Sequence, residues 1–190
     1  MDDVPLAPLY PGLGSRTAAF CLDYMLISGY MVVLATGSTL VLRSSLRERI
    51  APFFTTPLRR DLGAFLVLIL PVLLYYTYAE SAPQAATWGK QKRGLQVLNL
   101  QGNRLSRGRA FARAALKFLP WQVAHTSLFH IPGWPLAVEE LPVGSKLGLG
   151  LVWVLVGIYG VSILVHPQHR TIYDQIVGSA VQIRPDRAVG

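Results

Sequence analysis

The chain reads as an all-α membrane protein, a bundle of about four transmembrane helices carrying a small cytoplasmic β-hairpin or strand element. Three observations predict this. Hydrophobic residues fill 52% of the 190 positions and charged residues only 15%, against about 25% charged in an average soluble domain. The mean hydropathy is +0.38. The charges cluster and leave uncharged blocks long enough to cross a bilayer, for which about 20 apolar residues suffice. Residues 1–190 read as one membrane domain, with spans near 17–42, 62–80, 110–136 and 147–166, a hairpin loop at 83–108 and a tail at 167–190.

The N-terminal MDDVPLAPLYPG is acidic and proline-rich. It lacks the basic stretch that opens a cleavable signal, so the first span is expected to stay and serve as its own insertion signal. That span, TAAFCLDYMLISGYMVVLATGSTLVL, holds one formal charge, Asp23. The single cysteine, Cys21, excludes an intramolecular disulfide and is expected to be a small buried apolar residue. The second block, LGAFLVLILPVLLYYTYA, has Pro71 at its centre, where a missing N–H predicts a kink. Tyr75, Tyr76 and Tyr78 near its end suit the membrane interface.

Residues 94–106, GLQVLNLQGNRLS, alternate in polarity around a Gln101-Gly102-Asn103 turn and predict a short hairpin. Ser106 is a candidate N-cap for the next helix. There Arg109, Arg113 and Lys117 recur every fourth residue, a basic stripe that reads as meeting lipid headgroups in preference to binding a substrate. The third block, FLPWQVAHTSLFHIPGWPLAV, is uncharged but holds Gln122, His125, His130 and three prolines. It fits either a crossing or an amphipathic helix lying in the interface. Charge placement favours a crossing. Four spans put twelve Lys and Arg on the side of the termini, including Arg184 and Arg187, and six on the other; three spans give ten and eight. The positive-inside rule then makes both termini cytoplasmic. The fourth block, LGLGLVWVLVGIYGVSILV, carries Gly148, Gly150, Gly157 and Gly160, which permit close helix approach. A short strand near 178–183 is placed to pair with 95–100.

An ionisable side chain within a span is costly and normally faces protein or water with a partner. Asp23 therefore reads either as a proton- or cation-binding carboxylate on a pathway or as a structural clasp. Arg16 lies two turns earlier on the same helix face, about 10 Å away along the axis, so a third group must bridge them. The helix dipole disfavours a cation at an N-terminus, which calls for an acidic partner for Arg16. Asp174 is the candidate, with Arg16 bridging Asp23 and Asp174 and Arg170 competing nearby. On that reading, exchanging the Arg16 and Asp174 charges together restores folding lost in either single change.

His166 and His169 stand three apart with Pro167 between them and no cysteine or carboxylate beside them, which argues against a metal site. His125 and His130 read as polar glue or cavity-lining groups. There is no HExxH, Walker A, GxSxG or GxGxxG motif and no triad, so neither a cofactor nor an enzymatic activity is expected. The net charge of +8 would suit nucleic acid, but no recognition motif accompanies it. Anionic lipid is the partner it implies, with a homo-oligomer or a larger membrane complex as the assembly.

Three segments taken together, RTAAFCLD (16–23), TWGKQKRGLQVLNLQGNRLSRGRAFAR (87–113) and HRTIYDQIVGSAVQI (169–183), resemble the RDD family of small, mostly bacterial membrane proteins. That family is named for one arginine and two aspartates, which correspond here to Arg16, Asp23 and Asp174. Its Gly-Lys pair corresponds to Gly89 and Lys90, and a later helix arginine to Arg113. Trp88 departs from the small aliphatic residue the family more often has before Gly-Lys. The resemblance implies a multi-pass protein of the bacterial inner membrane. It also implies either transport of a small ion or solute past an intramembrane Asp/Arg site or an accessory role in a larger membrane machine.

Overall fold

The computed structural model describes residues 9–134, 138 and 140–185. The N-terminal acidic residues, Arg187 and the last positions of the anticipated 110–136 span lie outside that set. Helix α1 covers Leu13–Leu42, followed by the short α2 (Leu46–Ile50) and a 3-10 turn. Next, α3 (Pro57–Ala64) and α4 (Leu70–Ser81) flank a π-helical turn at Phe65–Ile69, forming one continuous helix, Pro57–Ser81. Then come α5 (Trp88–Lys92), β1 (Leu95–Asn99), α6 (Arg107–Phe129), α7 (Val143–Val165), α8 (Ile172–Val177) and β2 (Ser179–Ile183).

Among the described residues, three helices are long and apolar enough to cross a membrane: Leu13–Leu42, Pro57–Ser81 and Val143–Val165. Helix α6 has 23 residues, but its first half carries Arg107, Arg109, Arg113 and Lys117. It begins where Ser106 caps it, the Ser106 hydroxyl accepting from the Arg109 N–H at 3.3 Å. It ends at Phe129, short of the anticipated span. The second block departs from regularity ahead of Pro71 rather than at it. In the π turn the Leu70 N–H bonds to the Phe65 carbonyl, five residues back. Pro71 has no N–H to offer the Val67 carbonyl and its ring crowds that group. The Tyr30 hydroxyl donates to the Val67 carbonyl instead.

The chain divides into two compact units. The first comprises Met1–Asp23, Tyr75–Ala114 and Ile158–Gly190. Its apolar core is Ala19, Leu95, Val97, Leu105, Ala110 and Val181, with Ile183 packed against it. Strand β1 pairs antiparallel with β2, Leu95 opposite Ile183 and Asn99 opposite Ser179. The expected pairing of the tail with residues 95–100 is therefore present. The local hairpin is reduced to a turn, in which Asn99 N–H reaches the Asn103 carbonyl at 2.8 Å and a lone bridge joins Leu98 and Arg104. Leu105, Asn103 and their neighbours are too few to extend a second strand before Ser106 starts α6. Among the described residues the backbone twice enters the left-handed region at a residue other than glycine, at Ala85 and His169, both with φ 49°. Each sits just after a long apolar helix, where the chain must turn back sharply.

The second unit comprises Tyr24–Leu74 and Ala115–Gly157. Here α7 meets α6 at Gly148, where a Cβ would stand 2.0 Å from the Ser127 hydroxyl oxygen. Gly150, Gly157 and Gly160 have open space beside them, so only one of the four glycines serves close approach. An apolar cavity of about 130 Å³ is lined by residues including Tyr24, Leu68, Trp121 and His125, so His125 has the cavity-lining place expected of it. Asp61, just inside the helix Pro57–Ser81, accepts from the Thr126 hydroxyl at 3.0 and 3.1 Å. His125 and His130 place Nδ1 against carbonyls of their own helix, Trp121 and Thr126, so neither glues helices together through that nitrogen. In the first unit, Cys21 is exposed, contrary to expectation.

Candidate functional site

The site lies within the first unit and begins with Asp23, 1% exposed. Oδ1 accepts from the Gly89 N–H at 2.7 Å and the Tyr75 hydroxyl at 3.3 Å. Oδ2 accepts from the Thr87 hydroxyl at 2.6 Å and the Tyr76 hydroxyl at 3.2 Å. A carboxylate has about four lone-pair positions, and all four are taken. Arg16 is not among the donors. The expected bridge from Arg16 to Asp23 is thus absent, because α4 and the segment after it supply neutral donors that fill the carboxylate. Tyr75 and Tyr76 are carboxylate ligands rather than interfacial aromatics; Tyr78, 73% exposed, keeps the interfacial role open to it.

The loop reaches Asp23 because Gly89 lets it. A Cβ there would meet the Ala19 carbonyl oxygen at 2.1 Å and the Asp23 backbone nitrogen at 2.9 Å. Short helix α5 then places Lys90 one residue on. Its ammonium donates to Glu80 Oε1 at 2.8 Å and to the Thr87 hydroxyl at 3.3 Å. It also stands 5.1 Å from the centre of the Tyr76 ring. Glu80, fully buried, takes two further bonds from Arg113 Nη1 at 2.8 and 2.7 Å. Arg113 Nε goes on to Asp174 Oδ1 at 2.8 Å. Arg113 is 1% exposed, so it points inward, unlike the exposed Arg109, and leaves the expected lipid-facing stripe.

Asp174 closes the path. Its Oδ2 accepts from Arg16 Nη1 at 3.1 Å and from the Thr171 hydroxyl at 2.7 Å, while Ser179 donates to Oδ1 at 2.9 Å. Thr171 and Asp174 also form the capping box of α8, which holds the carboxylate from within its own helix. Burial alone would raise this carboxyl, but the Arg113 and Arg16 guanidiniums and the Thr171 hydroxyl outweigh it and hold it well below the usual carboxylate range. Arg170 does not compete for the carboxylate. Its Nε and Nη2 donate to the Ser179 and Asp174 backbone carbonyls at 2.8 and 3.0 Å. Since Asp174 serves Arg113 as well as Arg16, exchanging residues 16 and 174 would set one arginine against another.

The result is one continuous path: Asp23, Thr87, Lys90, Glu80, Arg113, Asp174, Arg16. It leaves α1 at Asp23 and returns to α1 two turns earlier. The chain matches the RDD family over residues 10–178, a range that contains every member of this path. The protein belongs to the RDD family. No curated protein and no solved structure matches the chain. With three helices fit to cross a bilayer, this RDD protein is a membrane protein.

Four of the five sequence-predicted site residues, Arg16, Asp23, Arg113 and Asp174, meet in the RDD network, and Arg170 borders it. The sequence reading missed Glu80, which lies one residue past the apolar block. A signal was available: Glu80 is the single acid between Asp61 and Glu139, beside eight Lys and Arg at 83–117. His166 and His169 remain outside the network; His166 Nδ1 accepts from the Gln168 N–H at 3.1 Å, and His169 Nδ1 faces the Ile163 carbonyl.

Proposed function

We propose that the network is a fixed lock, and that this RDD protein acts as a non-transporting membrane scaffold or accessory subunit of a larger membrane complex. The observation that carries this reading is the saturation of Asp23 by four donors. An ion or solute binding that carboxylate would have to displace at least one of them in a site closed to water. The rest of the path alternates base and acid, so each of its two acids, Glu80 and Asp174, sits between two cations. Buried paired charges hold one geometry because breaking a pair is expensive. The lock ties the first turns of α1 to α5, α6 and α8 and so fixes the small β1–β2 sheet.

The assembly side of the proposal is supported by exposed apolar faces. Only 6% of the most apolar stretch of α1 and 11% of that of α7 is buried within the chain. Lipid and neighbouring helices are the partners such faces accept. In the same reading α6 is the fourth crossing, both termini are cytoplasmic, and the host membrane is a bacterial cell membrane. The distribution of Lys and Arg supports that orientation. The proposal assigns no enzymatic step and no cofactor.

The test is flux. Wild-type protein in sealed vesicles is expected to move protons, sodium or potassium no faster than protein-free vesicles, and to co-purify in a stable larger complex after gentle solubilisation. Cation or proton flux that disappears in a folded Asp23→Asn variant would overturn the lock and establish transport past Asp23.

A further inference from the structure

Among the described residues, the buried charges of the first unit do not balance. Asp23, Glu80 and Asp174 are three anions; Lys90, Arg113, Arg170 and the Arg16 side chain, 9% exposed, are four cations. The surplus is one positive charge. It has a location. Arg16 spends Nη1 on Asp174, but its Nε and Nη2 are buried and have no hydrogen-bond partner among the described residues. These two N–H groups lie side by side on one edge of the guanidinium. That edge matches two oxygens of a carboxylate or phosphate. Arg170, which has no carboxylate partner, has already given Nε and Nη2 to backbone carbonyls, so the open donors are those of Arg16, and that is where an added anion fits.

The depth of Arg16 narrows the ligand. Helix α1 has 30 residues, about 45 Å at 1.5 Å each, close to the thickness of a bilayer with its headgroups. Its first turn, which holds Arg16, therefore lies where lipid phosphates lie. We propose that the Nε–Nη2 edge of Arg16 is an oxyanion site that takes one singly charged phosphate group at the membrane surface. A lipid phosphodiester carries one negative charge and two free oxygens, the charge and the fork that the site lacks. This goes beyond the lock and does not depend on it: a transporting protein would carry the same edge.

The first experiment uses wild-type protein alone, ¹⁵N-labelled on arginine, in a phosphate-free maltoside detergent. The Arg16 Nε–H resonance is followed during titration with dihexanoylphosphatidylglycerol, with dihexanoylglycerol, which lacks the phosphate, and with sodium phosphate. A shift with the phospholipid at lower concentration than with sodium phosphate, and none with dihexanoylglycerol, is the expected result. A shift at equal or lower concentration with sodium phosphate keeps the oxyanion site and overturns its lipid source. No shift with any of the three overturns the proposal and leaves the edge to water. The second experiment counts phospholipid retained by the purified protein in native mass spectrometry. Arg16→Lys keeps the charge but loses the two-pronged edge, and is expected to bind the retained lipid about tenfold more weakly, whereas Arg43→Gln, at an exposed arginine, is expected to leave it unchanged. Equal retention by wild type and a folded Arg16→Lys contradicts the proposal.

Discussion

Gly89→Ala is the substitution whose cost follows most directly from the geometry. The new Cβ would stand 2.1 Å from the Ala19 carbonyl oxygen, where real Cβ atoms do not come within 3.0 Å. The obstructing atom is backbone of α1, so no rotamer change relieves it. The loop must withdraw by about 1 Å, and the 2.7 Å bond from Gly89 N–H to Asp23 stretches out of range. Losing a hydrogen bond to a charged acceptor costs about 1.5–3 kcal/mol, and overpacking adds about 1–3 kcal/mol. The expected total is about 3–5 kcal/mol, since the two overlap in part. The assay is chemical unfolding in detergent micelles, read by tyrosine and tryptophan fluorescence. Gly108→Ala is the matched control, because nothing lies within 4 Å of its Cβ position on α6. It is expected to be neutral or slightly stabilising, as alanine favours helix by up to about 1 kcal/mol. If Gly89→Ala unfolds within about 0.5 kcal/mol of wild type, a surface-like outcome, the close approach of the loop to α1 is wrong.

Three other outcomes follow from the same network. Glu80→Gln leaves Lys90 and Arg113 facing a neutral amide, and is expected to cost about 3–5 kcal/mol of unfolding free energy. Asp174 ionises at lower pH in the folded protein than in the unfolded chain. Its contribution is therefore fully present above the ordinary aspartate value of 3.8 and is lost as pH falls below it. Unfolding of wild type and Asp174→Asn, compared from pH 7 to pH 3, is expected to show a gap that narrows only at the acid end. Tyr30→Phe removes the donor to the Val67 carbonyl, with an expected loss of about 1 kcal/mol and faster amide exchange around the π turn.

Much of the architecture was legible because apolar blocks and charge clusters report directly on the bilayer. The spans at 17–42 and 62–80 fall inside the helices found, the span at 147–166 runs one residue past the end of α7 at Val165, and Ser106 caps the helix it was expected to cap. The pairing of Arg16 with Asp174 was also readable, since a cation opposing its own helix dipole needs an acid and the tail offers one. What sequence periodicity did not show was which neutral groups would saturate Asp23. The Tyr75 and Tyr76 hydroxyls come from the neighbouring helix α4, and the Thr87 hydroxyl and Gly89 amide reach the acid after a turn at Ala85, whose φ of 49° no residue pattern announces. Arg113 was read as one of three stripe residues because helical spacing gives the face but not the partner. Its inward turn depends on Glu80 and Asp174 arriving from distant parts of the chain. Glycine in α7 was likewise ambiguous: four positions permit close approach, and only Gly148 has a neighbour to approach.

The unfolding free energy of Asp23→Asn is the most direct measure of whether this acid is held as a lock. An asparagine amide would turn one oxygen into an NH₂ that confronts two of the four donors, and two lost hydrogen bonds to a charged acceptor, at about 1.5–3 kcal/mol each, cost about 3–6 kcal/mol. The account predicts a destabilisation of that size, with the variant still helical below its midpoint. An Asp23→Asn protein as stable as wild type would contradict it, since a site that tolerates neutralisation is one built to exchange what it binds.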